Sequence, residues 1–385
     1  MPTELFDVVI VGAGPAGCST ALHLLQHDPT WRDRMVVLER EHFPREKLCA
    51  GGITAYGEAA LAGLSLSIDV PTVEVRELRI RFRDVLVGVK HNPVFRVTRR
   101  AEFDAWLAAC TRKRGAQLRE GQHVRSIEFD PGGATVTTDD TVYRTRAVIG
   151  ADGSKGVVAQ LAGLRRPKHT ARLLEVVTPE DATASAEFAE QFATFDFTPL
   201  ESELQGYYWD FPSLIRRKPF MNRGVFDSRV RPRRRRASLK KVIAERMAAR
   251  ERSLADVKLK GHPIHWFSPR AQFSRPHVLL VGDAAGADPL LGEGIAMALV
   301  YGRIAAEATE DGFARGDLSF ADYRRRILRD RLGITLSMRR VAADLFYRAW
   351  GRLLWRFFLS NFPRAVRALV PNMGGYTIRR LAPDE

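Results

Sequence analysis

The stretch Phe6–Gly17, FDVVIVGAGPAG, decides the fold. Asp7 to Val11 is a mostly β-branched, apolar run and reads as a buried parallel strand. It runs straight into Gly12-Ala13-Gly14-Pro15-Ala16-Gly17. Cys18 to Gln26 then has helical spacing, with Ala21, Leu22, Leu24 and Leu25 placed to pack on a sheet. Strand, glycine turn and helix are the context that G-x-G-x-x-G needs to bind a dinucleotide. Gly12 permits the tight turn, Gly14 lets a pyrophosphate approach the backbone, and Gly17 lets helix and strand pack closely. Pro15 and Ala16 open the helix, whose N–H groups and positive dipole end face the phosphates.

Met35-Val36-Val37-Leu38 reads as the second strand and ends in Glu39. That places a carboxylate roughly 20 residues after the glycines, where it can accept from ribose hydroxyls. A surface glutamate after a strand is the plainer alternative. Glu39 would also repel a 2′-phosphate at this position.

The chain has 385 residues, enough for a large core and two or three structural units. Its formal charge of +15 favours anionic partners. Cys18, Cys49 and Cys110 are too few and too scattered for a disulfide framework or a zinc site, so no metal is expected and a reducing cytoplasm fits. The first residues lead directly into the nucleotide-binding strand, leaving no room for a signal peptide. No apolar run is long enough to cross a bilayer, and no internal repeat is visible.

Taken in order, Phe43-Pro44-Arg45-Glu46-Lys47-Leu48-Cys49-Ala50-Gly51-Gly52-Ile53 suggests backbone pressed close to a ligand. Cys49 is either a reactive thiol, its pKa lowered by Arg45 and Lys47, or a small buried hydrophobe. Val73 to Val89 alternates and reads as two or three strands of a second sheet. Val97 to Asp104 opens a helix with Phe103, Leu107 and Cys110 as its apolar stripe and Trp106 at the margin. Arg100, at its start, either reaches ligand phosphates or is solvated. Gly121 to Val142 reads as short strands around a Pro131-Gly132-Gly133 turn. Ala147 to Gly150 is another buried strand, and Asp152-Gly153 follows at its carboxyl end, where open α/β sheets bind ligands.

Residues 165–275 lack the βαβ rhythm. Within them, Tyr207, Trp209 and Phe211 alternate and share one face of a strand, forming either a flat apolar pocket wall or an aromatic sheet core. Arg231-Pro232-Arg233-Arg234-Arg235-Arg236 is either a solvated loop or an anionic-surface contact. Val278 to Val281 is a last strand, followed by Gly282-Asp283. Pro289, Gly292, Glu293 and Gly294 then lead into a helix beginning near Ile295. Asp283 can accept from a sugar or ribitol hydroxyl, and the Gly292–Gly294 backbone can approach a flat ring.

Together, the glycine fingerprint, Glu39, Arg100 with Phe103-Asp104, Asp152-Gly153 and Gly282-Asp283 resemble FAD-dependent enzymes of the p-hydroxybenzoate hydroxylase fold, over residues 5–310. Lys47-x-Cys49-x-Gly51-Gly52 is similar to a segment of the geranylgeranyl reductase family, as is Tyr207-x-Trp209-x-Phe211-Pro212 to its Y-x-W-x-F-P signature. Ala50 departs from that family's more frequent glycine.

The resemblance implies an α/β plus α+β chain: a Rossmann-like FAD-binding domain, an inserted antiparallel-sheet substrate domain and a helical C-terminal region. FAD-binding parts are expected at 1–70, 100–165 and 276–310, substrate-domain parts at 71–99 and 166–275, and the helical region at 311–385. It adds Arg40, Lys47, Cys49, Ala50, Gly51 and Val124 to the cofactor contacts. It places Cys49, Tyr207 and Trp209 at the reacting centre and Tyr207, Trp209 and Phe211 at the substrate. The implied activity is reduction of isolated C=C bonds in an isoprenoid or other lipid-like substrate, with FAD recharged by NAD(P)H or a reduced electron carrier. A flavin monooxygenase or halogenase is the alternative.

Asp322–Arg340 reads as a basic helical stretch. Ala342 to Leu359, with Leu345, Phe346, Trp350, Leu353, Leu354, Phe357 and Phe358, reads as one or two amphipathic helices with arginines between. Such a helix lies in an anionic membrane interface, covers the substrate tunnel or makes a dimer. The oligomeric state is left open. A basic nucleic-acid binder is the remote alternative; no recognition helix, zinc module or stacking platform stands out, so no nucleic acid is expected.

Overall fold

The computed structural model describes residues 1–165, 169–233, 236–347, 357, 361 and 377–381. The chain is organised around two sheets. In the first, parallel strands Val278–Leu280, Val142–Gly150, Thr3–Val11, Met35–Leu38 and Gln117–Arg119 lie side by side in that order. Val8, Val9 and Ile10 are fully buried at its centre, as a parallel strand covered on both faces must be. The first strand begins at Thr3, earlier than its apolar run. Thr3–Phe6 pair with Val142–Thr145, where alternation of exposed and half-buried residues hides the strand from a hydrophobicity reading.

The helix Pro15–His27 packs between this sheet and the long helix Ile295–Arg315, and Ser19 Oγ donates to Leu299 O at 2.6 Å. This contact brings the first and third expected FAD-binding parts together. The helix Arg100–Lys113 starts three residues later than its pattern suggests, because Val97 and Thr98 still pair with Gly52 and Thr72. Its buried face carries Phe103, Leu107, Ala108 and Thr111. Cys110 and Trp106 are only half-buried, so Cys110 does not complete the stripe.

The second sheet runs Lys260–His265, Thr170–Pro179, Lys218–Asp227, Gly206–Ile215, Phe192–Asp196, Thr72–Phe82, Val85–Thr98 and Thr377–Leu381. It is antiparallel except where Phe192–Asp196 runs parallel to Thr72–Phe82. Two expectations change here. Gly52–Thr54 pairs with Phe95–Val97, so the second sheet begins inside the segment expected to be purely cofactor-binding. Thr377–Leu381 is a strand at the sheet's edge, so the C-terminal region is not wholly helical; Ile378 and Leu381 are its buried residues.

The basic stretch forms two helices, Tyr323–Arg329 and Arg331–Phe346. They break at Asp330, whose carboxylate accepts from Leu332 N at 2.8 Å. Trp350, Leu353, Leu354 and Phe358 of the expected amphipathic segment, and Arg234 and Arg235 of the arginine run, lie outside the described residues.

Candidate active site

A cavity of about 1040 Å³ runs from the glycine turn to the aromatic strand. That is at the upper end of the roughly 300–1,000 Å³ of small-molecule sites. At one end, Gly12 has φ +104°, and a Cβ there would fall 2.5 Å from Ala151 O; a Cβ on Gly17 would fall 1.9 Å from Gly12 O. Both glycines are demanded by the protein itself. Gly17 stands behind the cavity wall, at the helix–strand contact it was expected to make. Gly14 differs: a Cβ there would project into space whose nearest atom is Arg45 Nη2 at 3.7 Å.

Glu39 is brought to this turn. Its carboxylate accepts from Ala13 N at 3.0 Å and Glu41 N at 3.1 Å, with Arg45 Nη2 at 3.3 Å. Pro15, Ala16, Arg40 and Val124 complete this end, Arg40 on the exposed rim beside Glu41 and Val124 buried.

Arg100 lines the cavity but is not a loose phosphate ligand. Its guanidinium is held two-pronged by Asp104 at 2.7 and 2.9 Å and sits against the Cys49 thiol. Arg45 is the arginine at the glycine turn. It bridges Glu39 and Asp104, and its Nε is buried with no hydrogen-bond partner among the described residues. The arginine beside the Cys49 thiol is therefore Arg100, whereas Arg45, expected there with Lys47, is taken up by Glu39 and Asp104.

Asp152 and Gly153 border the cavity, and the Asp152 carboxylate accepts from Val157 N at 2.6 Å and Val158 N at 2.8 Å, closing the following turn. Lys47 Nζ lies 3.0 Å from His262 Nε2. Burial pushes the Lys47 ammonium down and the His262 imidazole down to about 4, with Asp283 opposing both, so the imidazole is neutral near pH 7. Gly282 and Asp283 face this pair, and Gly292, Gly294 and Ile295 form the adjoining wall. Pro289 is a correction. It lies outside the cavity wall, buried, with its carbonyl accepting from Ser228 Oγ at 2.5 Å.

The Cys49–Gly52 segment crosses the middle. Gly51 has φ +83°, and a Cβ there would fall 1.9 Å from Thr98 O. The Cys49 sulfur accepts from Gly51 N at 3.4 Å, and Ala50 sits beside it against the apolar side chains of the second sheet. Asn222 ties this segment to the aromatic strand: its Nδ2 donates to Cys49 O at 3.2 Å while its Oδ1 accepts from Trp209 Nε1 at 2.9 Å. Behind them lies Glu175, 2% exposed, beside the Cys49 N–H and 3.6 Å from Arg99. Burial pushes its carboxyl up to about 7, against Arg99 and Lys260, which pull it down.

At the far end Tyr207, Trp209 and Phe211 all face the cavity, with Phe95, Phe195 and Leu78. The Tyr207 hydroxyl donates to Leu291 O, and burial pushes its pKa well up. The intervening Tyr208 and Asp210 face away, into a buried cluster with Arg223 and Arg250. Arg339, from the helix Arg331–Phe346, reaches this end and bonds Asp288 at 2.7 Å and Glu293 at 2.6 Å. Glu293 also accepts from Thr54 Oγ1 at 2.7 Å.

Glu175, Asn222, His262, Asp288 and Arg339 escaped the sequence reading. Arg45 was read within the Phe43–Ile53 stretch, but as a neighbour of Cys49 and not as part of the glycine turn. The others come together through sheet pairing and helix docking with no local pattern.

The residues fit a flavin dinucleotide. A glycine whose missing side chain nothing in the protein requires, an orphaned buried arginine nitrogen beside it and a ribose-placed carboxylate together describe a dinucleotide cradle. The profile of the FAD binding domain family matches residues 77–299, and the chain belongs to that family of flavoproteins. Digeranylgeranylglycerophospholipid reductase 2 of Methanopyrus kandleri is 28% identical over 337 residues, covering 83% of this chain and 81% of that one. Menaquinone reductase of Mycolicibacterium smegmatis is 28% identical over 327 residues, covering 80% and 76%. A geranylgeranyl bacteriochlorophyll reductase-like protein from Thermoplasma acidophilum superposes with a TM-score of 0.74 at 21% identity, over 95% of this chain and 99% of that one, which establishes the shared fold.

Proposed function

We propose that this flavoprotein reduces isolated C=C bonds of an isoprenoid or similarly lipid-like substrate. The observation that carries the reading is the continuity of the cavity: a dinucleotide cradle at one end opens, past Cys49 and Gly51, onto the wall of Tyr207, Trp209 and Phe211. The relatives named for isoprenoid lipids support the same class.

Gly12, Gly14, Glu39 and Asp283 would hold FAD, with Gly51, Gly292 and Gly294 against its ring. Bound in reduced form, FAD would supply a hydride equivalent, drawn from NAD(P)H or a reduced electron carrier, and the second hydrogen would reach the other carbon as a proton. The chain's own residues do the positioning. Tyr207, Trp209 and Phe211 strip water from an apolar chain and fix its depth. Asn222 bridges Trp209 to the Cys49 carbonyl and so ties the aromatic wall to the segment that carries the thiol. Cys49 stands between cradle and wall, where it orients the alkene.

The test is anaerobic turnover of the reduced protein with a geranylgeranyl-bearing lipid. Product gaining two hydrogens per reduced bond supports the reading. Product forming only with oxygen replaces it with monooxygenase or halogenase chemistry.

A further inference from the structure

The helix Arg331–Phe346 has two unlike faces. Its inner face buries Leu332, Leu336 and Ala343 and sends Arg339 to the cavity. Its outer face exposes Ile334 at 51%, Met338 at 68%, Val341 at 69% and Leu345 at 48%. Spacings of four, three and four residues put them in one stripe. Beyond Arg331, these four are the only residues of the helix in the exposed class, and all four are apolar, while the partly exposed Asp344 side chain lies 3.7 Å from Arg231. A helix packed on a domain ordinarily turns its charged side outward. Single exposed aliphatics need no explanation, but a continuous stripe does.

The stripe starts at an arginine. Arg331 precedes Ile334 by three residues on the same face, and the preceding helix Tyr323–Arg329 exposes Arg324, Arg325 and Arg329. Among the described residues none of the four is in an ion pair; Arg324 donates to Pro269 O and Arg331 lies over the Tyr56 ring. An apolar stripe that begins at Arg331 and follows a helix with three exposed arginines, on a chain of net charge +15, is complementary to a negatively charged lipid surface. A second copy would meet the stripe carrying the same +15, which disfavours self-association.

We infer that this outer face docks on an anionic bilayer, and that the helix passes an apolar substrate from the bilayer to the cavity its inner face helps to line. The second clause rests on the proposed function; the docking does not.

The test uses the full chain and two sets of vesicles, pure phosphatidylcholine and phosphatidylcholine mixed with phosphatidylglycerol. The native protein is expected to sediment with the mixed vesicles and to be released by high salt. Met338→Glu with Val341→Glu should weaken that binding at least tenfold, at unchanged melting temperature and flavin spectrum. Arg325→Gln with Arg329→Gln should weaken binding to the mixed vesicles roughly 25-fold, at about fivefold per arginine, and leave binding to the neutral ones alone.

Three results would overturn the inference: vesicle binding by both variants equal to that of the native protein; a native dimer in light scattering that the glutamate pair dissociates; or a lower melting temperature for that pair with vesicle binding unchanged, which would mean the chain itself covers the stripe. Expected vesicle binding from a protein that reduces no isoprenoid, in detergent or in vesicles, would instead overturn the proposed function and leave the docking surface standing.

Discussion

The two ends of the cavity are built on opposite principles. At the glycine turn the ligand wall is main chain: Gly12, Gly14 and Gly51 keep side chains out of the way, and fixed charges such as Glu39 and Arg45 stand close behind. At the aromatic strand the wall is side chain: Tyr207, Trp209 and Phe211 point inward with Phe95 and Phe195, and the charges there are paired, Asp288 and Glu293 both bound by Arg339. The first end is suited to hold one polar ligand in one pose. The second is suited to accept apolar chains by shape and water exclusion. The difference teaches that binding of the cofactor and selection of the substrate are separable in this protein, since substitutions at one end have few contacts through which to reach the other.

The largest effect should come from adding a methyl group at the turn. Gly17→Ala forces a Cβ to 1.9 Å from Gly12 O, and overpacking of that kind should cost about 3 kcal/mol or more in urea unfolding. Gly14→Ala, three residues away, meets nothing closer than 3.7 Å. It should leave the apoprotein within about 0.5 kcal/mol of native while weakening FAD at least tenfold by equilibrium titration. Equal damage to stability at both positions would refute the distinction drawn between them.

The pH dependence sharpens the comparison at the junction. The Glu175 carboxyl, pushed up to about 7 by burial, keeps its proton in the folded chain where the unfolded chain has lost it near 4.5. Its favourable contribution is therefore complete below about pH 4.5 and is lost as pH rises through about 7, some 3 kcal/mol in all. Unfolding of native and Glu175→Gln protein across that window should show the slope in the first and its loss in the second.

A smaller effect belongs to the far end. Tyr207→Phe leaves Leu291 O without its donor and should cost about 1 kcal/mol. It should raise KM for the apolar substrate proposed above with FAD affinity unchanged. Smallest in stability is Cys49→Ala, expected within about 0.5 kcal/mol of native. Its signature is a kcat lower by about tenfold at unchanged FAD affinity, which a mere filler of space would not produce.

How much of this was legible follows from the same contrast. The main-chain end declares itself locally, because a strand, three spaced glycines and a carboxylate after the next strand form one short pattern. The alternation of Tyr207, Trp209 and Phe211 likewise put the three rings on one face, while leaving open whether that face lined a pocket or a core. What could not be read is what long-range pairing assembles. Asn222 meets Cys49 across 173 positions and His262 meets Lys47 across 215. Arg100 was readable as cofactor-facing but not as already held by Asp104. Pro289 was carried by its neighbourhood in sequence and turns out to face Ser228. The final strand, Thr377–Leu381, is too short to show a period and is set by its partner, Val85–Thr98.

The central claim is that separate segments converge on one FAD and leave its reactive edge facing the aromatic wall. It is tested most directly by titrating the apoprotein with FAD while following tryptophan emission in native, Gly14→Val and Trp209→Phe proteins. One FAD per chain is predicted, with quenching that is abolished by Gly14→Val because binding is lost, and reduced in Trp209→Phe although binding persists. Undiminished FAD affinity in Gly14→Val, or quenching independent of Trp209, would contradict it.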